Sequence, residues 1–388
     1  MTERIPIDKY CEKKISTLPS TYEGLIDYVD ISSVDNIAKE IVSYQTISSK
    51  DAPSRAKQLL KRGDILVSTV RPNLNAVAMI ESETENLMVG STGYCVLRCK
   101  ENADTRYLFN FCQSPYFVDD MSSQATGASY PAVSNSIVRS SLIPCYSVEE
   151  QRKIADKIDA VSGLIKLRKQ QLSKLDELVK SRFIELFGDT VANPYGWKKD
   201  MLGIVCDVRD GTHDSPQYFE TGYPLVTSKN VTGGKIDLTD CSLISEEHFM
   251  KINERSKVDF GDILMPMIGT VGKPVIVNIE PCFAIKNVSL IKFNQESQVL
   301  NIYIKALLQS DYFDDVVLSK VRGGTQKFIS LGDIRKLEIL VPPLELQNQF
   351  ATFVEQVDKS KYYISKRKNL EHLKIINAKI LWMRGENI

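Results

Sequence analysis

Arg71-Pro72-Asn73-Leu74-Asn75 places a guanidinium and two amides in one short stretch that a proline stiffens. Such groups can make the hydrogen bonds of fixed geometry that read base edges: Arg to guanine, Asn or Gln to adenine, Ser or Thr to either. Ser129-Tyr130 lies in a second polar loop, and Thr212-His213 and Lys229-Asn230 fall at turn positions further on. Lys273, Arg322, Gln326 and Lys327 lie in glycine-bearing stretches, where a backbone can approach phosphate closely. Taken singly, each is equally well read as a solvated loop side chain. As sets of loops they form a candidate nucleic-acid surface.

Covalent chemistry has little support. The three histidines, His213, His248 and His372, are far apart in the chain, and no Ser-His-Asp order can be read from them. Gly269-Thr270-Val271-Gly272-Lys273-Pro274 looks superficially like a phosphate loop. It lacks the full glycine spacing, and Pro274 stands where a hydroxyl would ligate magnesium, so a turn between strands is expected. Asn193-Pro194-Tyr195 resembles part of an amino-methyltransferase tetrapeptide, but no Gly-rich cofactor loop accompanies it. Asn-Pro is a turn signal, and a domain-opening turn is the better reading. The eight cysteines are scattered and no Cys-x-x-Cys occurs. That pattern suits reduced thiols in a cytoplasmic protein and argues against a zinc site. No catalytic or metal-binding residue is assigned.

The chain has 49 basic and 49 acidic side chains, a formal net charge of zero. A protein gripping DNA alone through a broad basic surface would carry an excess of positive charge. Local basic stripes stay open, with a partner supplying much of the phosphate contact. No apolar run approaches the ~18 residues that span a bilayer, and Met1-Thr2-Glu3-Arg4-Ile5 has no apolar signal-peptide core.

The elements that must position these loops occur twice. Gly63-Asp64-Ile65-Leu66 recurs as Gly261-Asp262-Ile263-Leu264, shifted by 198 positions (261 − 63). Val148-Glu149-Glu150-Gln151 recurs as Leu344-Glu345-Leu346-Gln347, shifted by 196 (347 − 151). In the first copy, Ile65 to Val70, Val77 to Ile80 and Tyr94 to Leu97 read as strands. Arg106 to Phe111 reads as a helix stopped near Ser114-Pro115. In the second, Ile263 to Ile268, Val275 to Val277 and Val288 to Ile291 read as strands, and Asn301 to Leu308 as a helix. Pro266 argues for an edge or bulge in the first of these.

Between the copies, Ile154, Ile158, Val161, Ile165, Leu172, Leu175, Val179 and Leu186 recur in steps of four and three, with Arg168 and Arg182 at the remaining seam positions. That is a coiled-coil seam, stopped by Gly188. About 36 residues of helix extend about 54 Å. A similar pattern closes the chain, with Phe350, Val354, Val357, Ile364, Leu370, Leu373 and Ile380 among its apolar positions. An antiparallel pair is expected, and Lys366-Arg367-Lys368 reads as a solvated face. The expected fold is α+β: two similar globular domains, 1–147 and 189–343, separated by helices at 148–188 and 344–388, with a pseudo-twofold repeat. Two similar units on one chain suit a ligand with two separated sites, such as a split duplex DNA sequence. A non-catalytic coiled-coil scaffold binding protein or RNA is the alternative.

The chain resembles the specificity (S) subunit family of type I restriction-modification systems. The resemblance rests on Gly63-Asp64-Ile65-Leu66 with Gly127-Ala128-Ser129-Tyr130-Pro131, and on Glu149-Glu150-Gln151-Arg152-Lys153-Ile154-Ala155. In the second half it rests on Gly196-Trp197, Asp210-Gly211-Thr212-His213, Gly261-Asp262-Ile263-Leu264 and Val341-Pro342-Pro343-Leu344-Glu345. The first half lacks the Gly-Trp opening. The resemblance implies two target recognition domains, each reading half of a bipartite duplex DNA target. It implies helices that set the gap and dock two methyltransferase (M) subunits, with restriction/translocase (R) subunits joining for cleavage. S-adenosylmethionine, ATP and Mg would then belong to the partners, with no intrinsic cofactor and no covalent step here.

Overall fold

The computed structural model describes residues 2–268, 274–322 and 328–384, and of residues 380, 381, 383 and 384 the backbone alone. The fold is α+β, with two compact units. Residues 1–169 and 366–388 form the first, and residues 170–365 the second. The long helices are Val148–Phe187 and Leu344–Arg384. Each unit therefore holds the start of one long helix and the end of the other.

In the first unit, Ile65–Ser68 is the middle strand of an antiparallel sheet, between Tyr94–Leu97 and Val77–Met79. A second sheet runs Gln45–Ser48, Leu25–Val29, Leu87–Ser91, Ala56–Leu59, and its central pair is parallel. Helix Thr105–Cys112 covers the first sheet and places Tyr107, Leu108 and Phe111 in the core. Pro115 does more than stop this helix. It opens another, Pro115–Gln124, with Ser114 as its cap, because a first-turn N–H has no helical partner to lose.

The second unit repeats the scheme. Ile263–Pro266 lies between Val288–Lys292 and Val275–Ile276. Tyr223–Val226 runs parallel to Ala284–Ile285, as Leu25–Val29 does to Leu87–Ser91. Pro266 corrects the edge expectation. Its strand is central, and proline is tolerated because Val275–Ile276 pairs only with Ile263 and Leu264 and ends before reaching it.

Within each unit the long helices run antiparallel. In the first, Ala155 and Ile158 share a core with Ile375 and Trp382, and Ile154, Val161 and Ile165 pack against it half-buried. In the second, Phe183 and Phe187 share a core with Phe350, flanked by Val179, Leu186 and Val354. Val357 is buried, and Leu172, Leu175 and Ile364 are half-buried. Arg168 takes its seam position opposite Glu371, with Nε 3.8 Å from Oε1. The Arg182 guanidinium lies 5.9 Å from the Phe353 ring centre. The later apolar positions of the second helix need correction. Leu370 and Leu373 are 52% and 57% exposed, and Glu371, Ile375 and Trp382 face inward in their place. The side chain of Ile380 lies outside the described residues.

The repeated Gln explains why both helices begin as they do. Gln151 is fully buried, accepts from the Asp104 N–H (2.8 Å) and donates to the Tyr146 carbonyl (2.9 Å). Gln347 does the same with the Leu300 N–H (2.8 Å) and the Pro342 carbonyl (2.8 Å). A buried amide that satisfies backbone groups on both sides fixes the helix root to its domain. Gly188, at φ 76, ends the first helix, and the Trp197 indole donates to the carbonyl of Phe187 (2.9 Å).

Candidate nucleic-acid interface

Each unit supports its loops on a buried ion pair supplied by the repeated Gly-Asp. Asp64 is 1% exposed and takes two hydrogen bonds from Arg98, from Nε and from the terminal nitrogen, both 2.7 Å. Asp262 receives Lys292 at 2.7 Å. Gly63 and Gly261, at φ 88 and 90, make the turn that brings these carboxylates inward. The Asp64 and Asp262 carbonyls accept from Ile80 and Val277, which fixes strand register. These motifs are supports and do not face a ligand.

In the first unit, the Ile65–Ser68 strand leads into the 71–75 loop. Arg71 and Asn75, at φ 50 and 48, bracket a single helical turn, Pro72–Leu74. The Arg71 N–H donates to the Pro131 carbonyl (2.7 Å), and bridges Val70↔Ala132 and Thr126↔Ala132 close the 126–132 loop beside it. The Arg71 guanidinium sits 4.9 Å from the centre of the Tyr130 ring, a cation–π contact on a ring 68% exposed. Asn73 and Ser129 are exposed. Asn75 is different. Its Nδ2 donates to the Cys112 carbonyl (2.8 Å) and its Oδ1 accepts from Lys39 (2.7 Å). Buried and bonded through both side-chain atoms, it anchors the loop from inside. Burial lowers Lys39 to about 8. A larger hollow of about 870 Å³ in this unit is lined by Asp27, Glu40, Glu81, Glu83 and Glu85, whose charge repels phosphate.

In the second unit, bridges Ile268↔Phe328 and Arg322↔Phe328 mark the matching pair of loops. Arg322 is exposed and 3.4 Å from Asp333. Lys273, Gln326, Lys327 and the expected turn at 269–273 lie outside the described residues. Asn230 is 3% exposed: its Oδ1 accepts from Thr227, and its Nδ2 donates to the carbonyls of Asp237 and Asp240. Its role is to hold a turn. Lys229 beside it is exposed and 3.4 Å from Asp240. Thr212 is half-buried, and its hydroxyl accepts from the Asp214 N–H. Asn193 also holds a turn, bonding Trp197 through both side-chain groups (2.8 and 2.9 Å).

His213 brings in residues that sequence reasoning missed. Its Nε2 is 2.9 Å from Asp210 Oδ2, and its Nδ1 is 2.8 Å from Asn287 Oδ1. Arg255 holds the other Asp210 oxygen at 2.6 Å. Gly211 lets this turn lie against the sheet, since a Cβ there would collide with the Ile285 carbonyl. Asp210, His213 and Asn287 line a cleft of about 380 Å³ with Met267, Ile268 and Phe328. The one signal in sequence was Asp210-Gly211-Thr212-His213 itself. Asn287 carried none, because it arrives from another strand.

The hydrogen bond to Asn287, and then Asp210, raise the His213 pKa above the usual imidazole value. A raised folded value favours the folded state fully below the unfolded pKa, and this contribution disappears as pH climbs through the folded one. NMR titration should therefore place His213 above the ordinary histidine range, and Asn287→Gly should bring it down. A wild-type value below that range would break the assignment of Asp210 and Asn287 as its partners.

A family model described as "Type I restriction modification DNA specificity domain" matches residues 8–177 and 194–374, which cover both units. The chain belongs to the type I restriction-modification specificity subunit family. It is accordingly a DNA-recognition component and not an enzyme. Among similar curated proteins, the MjaIX specificity subunit of Methanocaldococcus jannaschii is 25% identical, over 87% of this chain and 80% of its own. The EcoKI specificity subunit of Escherichia coli strain K12 is 22% identical over 68% of this chain, which spans 60% of that subunit's length. A solved structure described as "Structural basis underlying complex assembly and conformational transition of the type I R-M system" aligns over 99% of this chain and 98% of its own. It does so with TM-score 0.60 and 25% identity. The S subunit of M. genitalium aligns over 99% and 96%, with TM-score 0.58 and 14% identity, and so shares the fold. Among the described residues of this specificity subunit, no group of His, Cys, Asp and Glu could hold a metal, and no helix is long and apolar enough to cross a membrane.

Proposed function

We propose that each unit reads one half of a bipartite duplex DNA target. The long helices set the gap between halves and dock two methyltransferase subunits, one for each repeat. Restriction/translocase subunits join for cleavage. S-adenosylmethionine, ATP and Mg act on those partners. One observation carries this reading. The two units share one hydrogen-bond scheme, down to Gln151 and Gln347, yet differ in the side chains offered at their loops. The first offers Arg71 stacked on Tyr130, and the second offers His213 with Asn287. A common scaffold with different reading groups suits two unlike half-sites. A net charge of zero fits a subunit whose partners add phosphate contacts.

The test is to reconstitute the complex with methyltransferase and map methylated adenines, which gives both half-sites and the gap. Arg71→Ala with Asn73→Ala should relax selectivity at one half only, each lost bidentate contact being worth about 1–3 kcal/mol. Equal loss at both halves with folding intact would overturn the reading.

A further inference from the structure

We propose that Asn287 is a base-reading residue of the second unit, taking an acceptor on a base edge and so rejecting cytosine, with an amide oriented by His213. This rests on the half-site reading above. Asn287 is half-buried at the rim of the 380 Å³ cleft, and its backbone is left-handed, φ 55. Single Asn residues adopt this conformation more readily than most, but it is still uncommon, and the surroundings must hold it. Here they do: the Asn287 N–H donates to the Thr212 carbonyl (3.2 Å), and its carbonyl accepts from Met267 (3.3 Å).

The side chain is oriented by a relay. Arg255 fixes Asp210, Asp210 accepts from His213 Nε2, and His213 Nδ1 faces Asn287 Oδ1. An imidazole with an oxygen opposite each nitrogen satisfies both contacts when each nitrogen donates. Asn287 Oδ1 is then occupied. Its Nδ2 amino group has no partner among the described residues, and it is the group left to meet a ligand in the cleft. The free amino group selects for base edges that present an acceptor. It can donate to the N7 of either purine, to guanine O6 or to thymine O4, but finds no acceptor on the major-groove edge of cytosine.

The first unit supplies the contrast. The strand pairing that aligns Ile65 with Leu97 aligns Ile263 with Ile291, so Asn287 corresponds to Gly93. The Gly93 carbonyl accepts from Thr69 as the Asn287 carbonyl accepts from Met267. The two backbones differ, Asn287 being left-handed and Gly93 not, and Ile31 fills the space a Cβ at Gly93 would need, so only the second unit has room for a side chain here.

Two variants of the full chain, reconstituted with methyltransferase, test this. Asn287→Gly removes the side chain and tolerates the left-handed backbone. Asn287→Asp keeps the shape and turns an oxygen outward. The readout is methylation of site libraries randomised one position at a time, in the half-site that the Arg71 and Asn73 changes leave intact. The wild type should reject cytosine at one position there, the base whose major-groove edge offers only a donor. Asn287→Gly should lose roughly tenfold preference at that position alone. Asn287→Asp should turn it towards cytosine or adenine, whose amino groups donate. The other half-site reports folding and assembly, and should be unchanged. Unaltered preference in both variants overturns the proposal, as does a uniform loss across all sequences, the mark of a phosphate contact. A wild-type complex that yields no two-part site overturns the half-site reading itself, and this assignment with it.

Discussion

Trp382→Ala should destabilise the first unit by about 3–5 kcal/mol, the usual cost of removing a large aromatic from a core. Trp382 is fully buried, although it belongs to the last turns of the second long helix. Its ring lies 4.9 Å from Tyr107 and 6.4 Å from Phe111, and its indole N–H donates to the Tyr107 hydroxyl (3.3 Å). Tyr107 in turn donates to the Pro144 carbonyl (2.6 Å), so the tryptophan backs a bond that closes the domain. Amide hydrogen exchange measured strand by strand is the right readout, because a chain of two units does not unfold in two states. Exchange should rise in Ile65–Ser68 and Tyr94–Leu97 and stay unchanged in Ile263–Pro266. Trp382→Phe should lose less, since it keeps a ring. Equal loosening of both units would mean that Trp382 does not belong to the first core alone.

Asp64→Ala should cost about 3–5 kcal/mol, the penalty for leaving a buried charge without its partner. Arg98 is 14% exposed and bonds Asp64 through two nitrogens, while Glu12 is 4.0 Å away and too distant to replace it. The same change at Asp262 should cost less. Lys292 there keeps Asp259 at 2.8 Å, a carboxylate already half in solvent. The two variants form an internal comparison in one chain. Denaturant unfolding followed through each unit separately would give the order, and a larger loss for Asp262→Ala would show that Asp259 does not compensate. The effect on DNA reading should follow the fold: half-site selectivity of the first unit falls with its stability, and that of the second persists.

Much of the architecture was legible because it is written in local pattern. The steps of four and three between Ile154 and Leu186 require only that one helix face be apolar. The strands at Ile65, Tyr94, Ile263 and Val288 require only β-branched runs between turns. Elements without such runs escaped notice. Leu25–Val29 and Leu87–Ser91 carry Asp27 and Gly90 in their middles, and they pair across about sixty residues of chain. The apolar steps of the second helix do not run to its end. Beyond Ile364, Leu370 and Leu373 look like the apolar stripe, but Glu371 takes the inward place opposite Arg168.

By itself, then, the sequence determined the order of the chain: a unit, a long helix, a second such unit and a second helix, with polar loops after matching strands. Periodicity, turn chemistry and repetition act over a few residues or one regular shift, and each is visible without coordinates. The tertiary structure alone decided which side chains of those loops remain free. Asn73 and Asn75 are the same residue type two positions apart, and only the second is consumed, by Cys112 and Lys39. His213 gained its orientation from Asn287, 74 residues away, and the core of the first unit gained Trp382 from 275 residues beyond Tyr107. Whether a polar group is satisfied inside or left for a ligand depends on partners that the chain brings together only by folding, and the identity of those partners is not encoded near the residue itself.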